Sequence, residues 1–221
     1  MNPLQTLIAQ HKTIVFDLDG TLMHTEPDIR LAANQALKDC GFEPLSPTCV
    51  IPNLFGPLYD ILGSIMSVVD APAVAADDMM QAYLKHYADQ GHDNSFLYPG
   101  VRTLLDQLRD QGCALGVCTN KIELSAKQAL ERRGVLSYFS VVTGGDSTAQ
   151  PKPHAMPLLH TLESLSASSQ EAILIGDTHV DALCASNCGV SFIFHQGGYG
   201  GDLVDQYQIS ARFQSYLELC R

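Results

Sequence analysis

The chain has 221 residues, of which 46% are hydrophobic and 17% are charged, a composition typical of a globular protein with one or two domains. Its 24 Asp and Glu residues outnumber its 13 Lys and Arg residues, so the formal net charge is −11. Because phosphodiester backbones and anionic lipids repel such a chain, we expect neither a nucleic-acid nor a membrane partner. No apolar run approaches the ~18 residues of a membrane helix, and residues 1–12 show no signal-peptide pattern.

The chain has seven cysteines, an odd number, and no two of them form a Cys-x-x-Cys pair. Without a signal-peptide pattern, this count indicates reduced thiols and a cytoplasmic location. Cys184 and Cys188 are four residues apart and could share a helix face as metal ligands do, but no further ligands are spaced around them. We therefore interpret both as small buried hydrophobic residues.

Short apolar segments alternate with segments of helical periodicity along most of the chain. Each apolar segment is too short for a helix and is hydrophobic at successive positions, which is typical of a strand covered on both faces. This alternation predicts an α/β fold with a doubly wound parallel sheet. The predicted strands span residues 13–16, 114–118, 141–143, 172–175 and 190–194. The apolar stripes of three predicted helices are Val101, Leu104, Leu105 and Leu108; Leu124, Ala129 and Leu130; and Leu158, Leu159, Leu162 and Leu165.

Residues 23–96 interrupt this alternation because their patterns are helical only. Thr25 can cap a helix that has Pro27 in its first turn and ends at Gly41. An insertion after the first strand lies over the edge at which open α/β sheets bind ligands, so we predict a separate helical subdomain there. Two more helices are predicted near residues 59–69 and 74–90. The predicted domains are a core of residues 1–22 and 97–221 and a helical cap of residues 23–96.

Asp17 and Asp19 follow the first predicted strand directly. Two carboxylates this close raise the pKa of one of them or require a cation. Gly20 permits a backbone turn that a Cβ atom would hinder. A helix cap or an Asx-turn explains one of the two acids but not both, so we interpret the pair as a candidate reaction site.

Asp177 and Asp181 follow the fourth predicted strand. By themselves they could be a capping arrangement. Beside the first pair, however, they would gather several carboxylates at one edge of the sheet, a set of hard oxygen ligands that suits Mg²⁺. The sequence therefore predicts a magnesium site at this edge.

Two further segments can supply groups that bind phosphate. Thr119, Asn120 and Lys121 follow the second predicted strand, where a hydroxyl and backbone amides can hold phosphate oxygens. Lys152 stands between Pro151 and Pro153, which fix the backbone and direct the side chain. We interpret Lys152 as a counter-charge for the carboxylates.

These segments resemble the four motifs of the haloacid-dehalogenase superfamily, in the family's order. The motif segments are residues 17–22 (DLDGTL), 119–120 (TN), 152–153 (KP) and 176–181 (GDTHVD). The segments that resemble the phosphoglycolate-phosphatase branch are residues 98–101 (YPGV), 117–121 (VCTNK) and 143–146 (TGGD). The resemblance implies a three-layer, Rossmann-like core with an inserted small α-helical cap.

The resemblance also implies how a phosphate monoester would react. Asp17 corresponds to the nucleophile that forms an aspartyl-phosphate, and Asp19 to the general acid and base. The Mg²⁺ ligands would be Asp17, the backbone carbonyl of Asp19, and Asp177, with Asp181 and Thr21 in support. The expected partner is therefore a small phosphorylated metabolite.

The same resemblance assigns the groups that bind phosphate. Thr119 and Asn120 correspond to the contacts of the transferred phosphate, and Lys152 to the positive charge beside it. Lys121 and Arg30 are candidates for binding a substrate carboxylate. His24 and His179 are candidates for contacting substrate, although a histidine of this kind is more often a packing residue.

Three functions remain open at this point. Asp19 argues against a dehalogenase, because the dehalogenases of the family lack an acid at this position. A Mg²⁺-dependent phosphatase, with phosphoglycolate as the leading substrate, is favoured over a sugar-phosphate mutase. The reason is that residues 50–56 contain no Lys or Arg for a second phosphate. The third possibility is a partner-binding module that retains the fold, which would hold clustered carboxylates at an electrostatic cost.

Overall fold

A parallel sheet of six strands forms the centre of the protein, whose computed structural model describes residues 3–200 and 202–220. Met1, Asn2 and Arg221, at the ends of the predicted core, lie outside the described residues, as does Gly201. The strands within the described residues are β1 (Thr13–Phe16), β2 (Met23–His24), β3 (Phe96–Leu97), β4 (Ala114–Cys118), β5 (Val141–Thr143), β6 (Ala172–Gly176), β7 (Ser191–His195) and β8 (Ala211–Phe213).

The order of the strands in the sheet is β5-β4-β1-β6-β7-β8, and each neighbouring pair is parallel. All four residues of β1 are buried, because the strand lies between two neighbours and has apolar side chains on both faces. Phe16 is in register with Val117 of β4 and Ile175 of β6. The carboxyl ends of these three strands therefore meet at one edge, called the sheet edge below. The predicted α/β class with a parallel sheet is confirmed.

The strand prediction was wrong in three respects. It omitted the short pair β2 and β3 at the ends of the segment predicted to be helical only. The strand predicted at residues 190–194 is β7 and begins one residue later, at Ser191. The prediction omitted β8, which has only three residues and carries an exposed Arg212 in its middle. A strand this short and this polar lacks the continuous apolar run by which the others were found.

Eight α-helices lie within the described residues, and none is long and apolar enough to cross a membrane. The stripe predicted from Val101 to Leu108 is buried. Leu124 and Leu159 face solvent instead, with 65% and 46% of their surface exposed, because their helices bury other positions such as Ala126 and Leu158. The helices are α1 (Pro3–Ala9), α2 (Glu26–Asp39), α3 (Leu58–Val68), α4 (Ala76–Asp89), α5 (Val101–Asp110), α6 (Glu123–Arg132), α7 (Met156–Ser164) and α8 (His179–Cys188).

Helices α2, α3 and α4 form a helical insertion, defined here as residues 25–95, between β2 and β3. It has a hydrophobic cluster of its own, in which Ala33, Ile65 and Tyr83 are among the buried members. The chain enters and leaves the insertion through the antiparallel pair β2–β3, in which His24 lies opposite Phe96. The division into a core and a cap at these residues stays a prediction.

Asp28 fastens the two ends of the insertion together. Its buried carboxylate accepts hydrogen bonds from the backbone nitrogen and hydroxyl of Ser95, at 2.7 and 2.5 Å, and from the backbone nitrogen and amide group of Asn94. Burial opposes ionisation of Asp28, but the hydrogen bonds from Ser95 and Asn94 outweigh it and lower the pKa of the carboxyl group. An ionised Asp28 therefore stabilises the junction between the insertion and the sheet.

Candidate active site

Lys152 joins two carboxylates at the sheet edge. Its Nζ lies 2.8 Å from Oδ1 of Asp17, which follows β1, and 2.6 Å from Oδ1 of Asp181 in α8. All three side chains are buried. Burial disfavours the charged lysine, but the two carboxylates outweigh it and raise the pKa of Lys152 well above its ordinary value. The ammonium group is therefore a permanent positive charge beside Asp17.

Asp17 is an unusual carboxylate in this setting. Burial, partly offset by Lys152, raises the pKa of Asp17 to about 7, and the nearby Asp181 adds to the rise. Lys152 takes one carboxylate oxygen, whereas the other makes no hydrogen bond within the described residues, and Asp17 lines the cavity in front of the sheet edge. One oxygen of Asp17 is thus held by Lys152, and the other remains free to react on a side chain that lines the cavity.

Asp177 lies on the other side of Asp17, at the end of β6. It accepts hydrogen bonds from the Thr21 hydroxyl at 2.8 Å and from the backbone nitrogen of Tyr199 at 2.6 Å. Burial, followed by the charges of Asp17 and Asp181, raises the pKa of Asp177 well above its ordinary value. No basic side chain of the described residues bonds to Asp177, so its negative charge lacks the partner that Asp17 has.

Oxygen atoms of Asp17, Asp177 and Asp181 lie within 4.8 Å of one another. Both oxygens of Asp181 are already used, one by Lys152 and the other by the backbone nitrogen and hydroxyl of Thr178. One oxygen of Asp17 makes no hydrogen bond among the described residues, and the two oxygens of Asp177 accept from neutral donors only. Crowding makes the shared negative charge of Asp17 and Asp177 costly without a cation. A hard divalent ion such as Mg²⁺ fits this donor set.

Gly20 allows the loop after β1 to approach Asp177. Its φ of +84° is a conformation that favours glycine, and a Cβ atom at this position would collide with the Asp177 carboxylate. Nδ1 of the buried His195 donates to the Gly20 carbonyl at 2.9 Å. The loop that carries Asp17 and Asp19 is therefore held from β7 as well as from β6.

Lys121 contacts Asp19 rather than an open anion site. Its Nζ lies 3.0 and 3.2 Å from the two carboxylate oxygens of Asp19 and 4.7 Å from the centroid of the Tyr87 ring. Both charged side chains are mostly buried, with 7% and 14% of their surface exposed. Lys121 thus links the candidate acid of the core to an aromatic residue of the helical insertion.

Thr119 and Asn120 differ in what they leave available. The Thr119 hydroxyl accepts from the backbone nitrogen of Lys121, and its own proton has no acceptor among the described residues. The side-chain amide of Asn120 is already hydrogen-bonded within the protein. Its oxygen accepts from the backbone nitrogen of Lys152 at 2.9 Å, and its NH₂ group donates to the backbone carbonyls of Lys152 and Phe55. Thr119 can therefore donate to a phosphate, whereas the Asn120 side chain fixes the Lys152 loop.

A small cavity of about 40 Å³ lies between the sheet edge and the helical insertion. On the core side it is lined by polar residues that include Asp17, Asp19 and Lys121. On the insertion side its surface is uncharged and mainly hydrophobic, and this surface is called the apolar wall. The apolar wall consists of Ile29, Leu54, Leu58, Ile61, Tyr83 and Tyr87.

Three other candidates lie outside the lining of this cavity. Arg30 bonds to Glu26 and to the carbonyls of the 46–49 loop, so its charge is used within the insertion. Nδ1 of His24 lies 2.9 Å from the Tyr199 hydroxyl, and His179 packs edge-on against Phe55. The interpretation of Arg30 as a carboxylate ligand is therefore replaced by a structural role.

Tyr199 and His195 were missed by the sequence analysis. The Tyr199 hydroxyl accepts hydrogen bonds from the backbone nitrogens of Thr25 and Glu26. The backbone nitrogen of Tyr199 donates to the Asp177 carboxylate. Glycines 197, 198 and 200 surround it, and a Cβ on Gly198 would collide with Asp177. That run of glycines was the available signal, because repeated glycine marks a close backbone approach.

Comparison with known proteins agrees with this geometry. A model of the haloacid dehalogenase-like hydrolase family matches residues 14–195. A phosphoglycolate phosphatase from Rhodospirillum rubrum is 33% identical over 215 residues, which cover 94% of this chain and 89% of the relative. A phosphoglycolate phosphatase from Cereibacter sphaeroides is 36% identical over 212 residues, with coverages of 93% and 94%.

Solved structures extend the likeness to three dimensions. The crystal structure of a predicted phosphoglycolate phosphatase from Haemophilus somnus 129pt matches with a TM-score of 0.87 at 26% identity. The match covers 95% of this chain and 96% of the other. The chain therefore belongs to the haloacid dehalogenase-like hydrolases and is a phosphoric monoester hydrolase of the phosphoglycolate-phosphatase-like branch.

Proposed function

We propose that the protein is a Mg²⁺-dependent phosphatase that hydrolyses a small phosphomonoester through a phosphorylated Asp17. The observation that carries this proposal is the state of the Asp17 carboxylate, which lines the cavity: one oxygen lies 2.8 Å from the Lys152 ammonium, and the other makes no hydrogen bond among the described residues. A carboxylate oriented by a fixed cation and open on one side is suited to attack an electrophilic phosphorus. Phosphoryl transfer needs this kind of positioning and charge stabilisation more than any other assistance.

In the first step the free oxygen of Asp17 attacks phosphorus and the bond between phosphorus and the ester oxygen breaks. Asp19, two residues further along the loop, gives its carboxyl proton to the departing alcohol oxygen. Thr119 donates to a phosphate oxygen, and Lys152 balances the charge that gathers on Asp17 and the phosphate. The products of this step are a neutral alcohol and an aspartyl-phosphate.

In the second step water replaces Asp17 on phosphorus. The Asp19 carboxylate, now without its proton, takes a proton from the attacking water. The bond between phosphorus and the Asp17 oxygen breaks, which restores the Asp17 carboxylate and releases inorganic phosphate. Asp19 is left protonated, ready for the next ester.

Asp17, Asp177 and the backbone carbonyl of Asp19 would hold the metal. When bound, Mg²⁺ supplies positive charge that offsets the repulsion between the Asp17 carboxylate and an anionic phosphate. The carboxylate crowding described above supports this assignment, because Asp177 has no basic partner among the described residues. Asp181 acts through Lys152, whose ammonium it holds at 2.6 Å.

The helical insertion is proposed to act as a cap that closes over the ester and keeps water out. A mutase would need a second phosphate site opposite Asp17, and the apolar wall provides no positive charge for one.

Phosphoglycolate is the leading substrate, because the relatives from Rhodospirillum rubrum and Cereibacter sphaeroides are phosphoglycolate phosphatases. The odd number of cysteines supports a cytoplasmic location.

The proposal is tested by phosphate release from a panel of phosphomonoesters, including 2-phosphoglycolate and p-nitrophenyl phosphate, with Mg²⁺ or with EDTA. We expect Mg²⁺-dependent release, and a fall of at least about 10⁴-fold in kcat for Asp17→Asn, because the nucleophile is lost. The matched control is Asp110→Asn, an exposed acid of α5 whose contact with Arg109 is 3.8 Å long. Its rate should stay within about twofold of the wild type.

The covalent intermediate has its own test. Rapid denaturation during turnover, followed by borohydride reduction, converts an aspartyl-phosphate to homoserine, which peptide mass spectrometry locates along the chain. We expect homoserine at position 17 and nowhere else. Unmodified Asp17 during steady turnover would contradict the covalent mechanism, and isomerised sugar phosphate without phosphate release would establish a mutase instead.

A further inference from the structure

Lys121 is the positive charge of the cavity that the proposed mechanism leaves unused. Among the described residues that line the cavity, it is the only one with a positive charge. The charged lining residues besides Lys121 are Asp17 and Asp19, and the apolar wall opposite them is uncharged. An anionic group on the substrate would therefore have no counter-charge on the side of the insertion.

The position of the Lys121 ammonium favours exchange between partners. It bonds to Asp19 on one side and sits over the Tyr87 ring on the other, 4.7 Å from the ring centroid. A lysine ammonium has three donors on a flexible stem, so it can turn to a new acceptor without moving the backbone. The ring face attracts the cation in either position. Lys121 can thus leave Asp19 at small cost if another carboxylate takes its place.

We propose that Lys121 determines specificity by binding a carboxylate on the leaving group of the substrate, in exchange for Asp19. This inference rests on the proposed phosphatase function. A substrate carboxylate that enters the low-dielectric cavity needs a charged partner, and Lys121 is the one within reach. The exchange also leaves the Asp19 carboxyl group facing the ester oxygen without a lysine beside it. A neutral leaving group does not draw Lys121 away.

Two esters of the same skeleton separate these cases. In 2-phosphoglycolate the carbon next to the ester carbon is a carboxylate, and in ethyl phosphate it is a methyl group. The experiment measures kcat/KM for both esters with Mg²⁺ for the wild type, Lys121→Met, Lys121→Arg and Lys127→Met. Lys127 is the matched control, because it lies in α6, the helix that follows Lys121, is exposed, and among the described residues bonds to Glu123. Comparing two esters in one preparation cancels any loss of folded enzyme.

We expect the wild type to prefer 2-phosphoglycolate and Lys121→Met to reduce that preference by about ten- to a hundredfold, the range of one charge-assisted hydrogen bond. Lys121→Arg should retain part of the preference, and Lys127→Met all of it. Binding supplies a second readout. In Mg²⁺-loaded Asp17→Asn, adding Lys121→Met should weaken calorimetric binding of 2-phosphoglycolate by at least tenfold more than binding of ethyl phosphate.

Two outcomes would overturn the inference while the proposed function stands. One is a wild type that hydrolyses both esters equally well. The other is a Lys121→Met enzyme that loses the same factor on both, which would make Lys121 a positioning residue for Asp19 only. Absence of phosphate release from every ester, p-nitrophenyl phosphate included, would instead overturn the proposed function and this inference with it.

Discussion

The two sides of the cavity differ in how their residues are held. The sheet edge is polar, and its charged groups are fixed by one another: Lys152 lies between Asp17 and Asp181, and Asp177 is held by two hydrogen bonds. The apolar wall carries no charge and is shaped by packing of the helical insertion. The difference indicates that charge pairing fixes the groups of the sheet edge, whereas hydrophobic packing shapes the wall opposite them.

This separation has a physical basis. Charges at the sheet edge must be held within fractions of an ångström, because phosphoryl transfer depends on their orientation. An apolar wall works through shape and exclusion of water, and it tolerates exchange between residues of similar volume. Lys121 is one point of contact between the two regions, because it bonds to Asp19 and packs on Tyr87.

Among the variants that compare the two regions, Lys152→Met is expected to have the largest effect. It removes the counter-charge beside Asp17, so kcat should fall by roughly 10²- to 10³-fold because charge stabilisation of the transition state is lost. Phosphate release from p-nitrophenyl phosphate measures the effect. The control from the other region is Lys85→Met, an exposed lysine of α4, which should leave kcat within about twofold. If kcat of Lys152→Met stayed within about tenfold of the wild-type value, the reaction would not depend on the fixed charges of the sheet edge.

Metal binding should have a smaller effect that depends on pH. Burial raises the pKa of Asp17 from 3.8 to about 7, so the folded protein binds this proton more tightly than the unfolded chain. The stability of the metal-free protein therefore falls as pH rises from about 4 to about 7. Mg²⁺ replaces the proton, so it should raise Tm more at pH 8 than at pH 5.

At a Mg²⁺ concentration of about 100 Kd, the stabilisation at pH 8 is about 2.7 kcal/mol, or roughly 5–10 °C in Tm. Differential scanning calorimetry with Mg²⁺ and with EDTA measures it. Equal shifts at the two pH values would mean that the carboxylates of the sheet edge are not crowded enough to retain a proton. Asp17→Asn should remove most of the pH dependence.

The smallest effect is expected at the junction of the two regions. Asp28→Asn replaces a charged acceptor of four hydrogen bonds and should cost about 1–2 kcal/mol of stability. The pKa of Asp28 is lowered, so its contribution is present at neutral pH and is lost as pH falls below its ordinary value of 3.8. The wild type and Asp28→Asn should therefore converge in Tm at low pH.

Thermal unfolding across pH checks this prediction, with Asp39→Asn as the control. Asp39 lies on the same helix and pairs with His86, but 54% of its side chain is exposed, so its loss should cost less than about 1 kcal/mol. Activity on p-nitrophenyl phosphate should change little for either variant. A large loss of activity in Asp28→Asn would show that the junction takes part in the reaction.

The sheet and the motif residues could be predicted from the sequence because their signals are local. The segment from Ile14 to Phe16 is apolar at every position, and Asp17 follows it directly, so strand and acid are recognised together. The same holds for Asp177 after β6. Parallel strands bring their carboxyl ends to one edge, and this rule predicts that the acids gather there.

The partners of these residues could not be predicted, because they come from distant parts of the chain. Lys121 and Asp19 are 102 residues apart in the sequence, and Asn120 and Phe55 are 65 residues apart. Nothing near Tyr199 in the sequence indicates that its hydroxyl holds the start of α2. Side-chain pairings of this kind depend on the assembled fold and leave no periodic signal.

The central place of β1 has a consequence for assembly of the chain. Its two neighbours begin at Ala114 and Ala172, so the strand that carries Asp17 is synthesised long before either of them. The pairing of His24 with Phe96 closes the insertion on itself. It thereby reduces the connection from β1 to β4 from about a hundred residues to roughly 25, which lowers the entropy cost of closure by about 1.2 kcal/mol. The insertion that covers the cavity in the folded enzyme also brings the ends of a long connection together during folding.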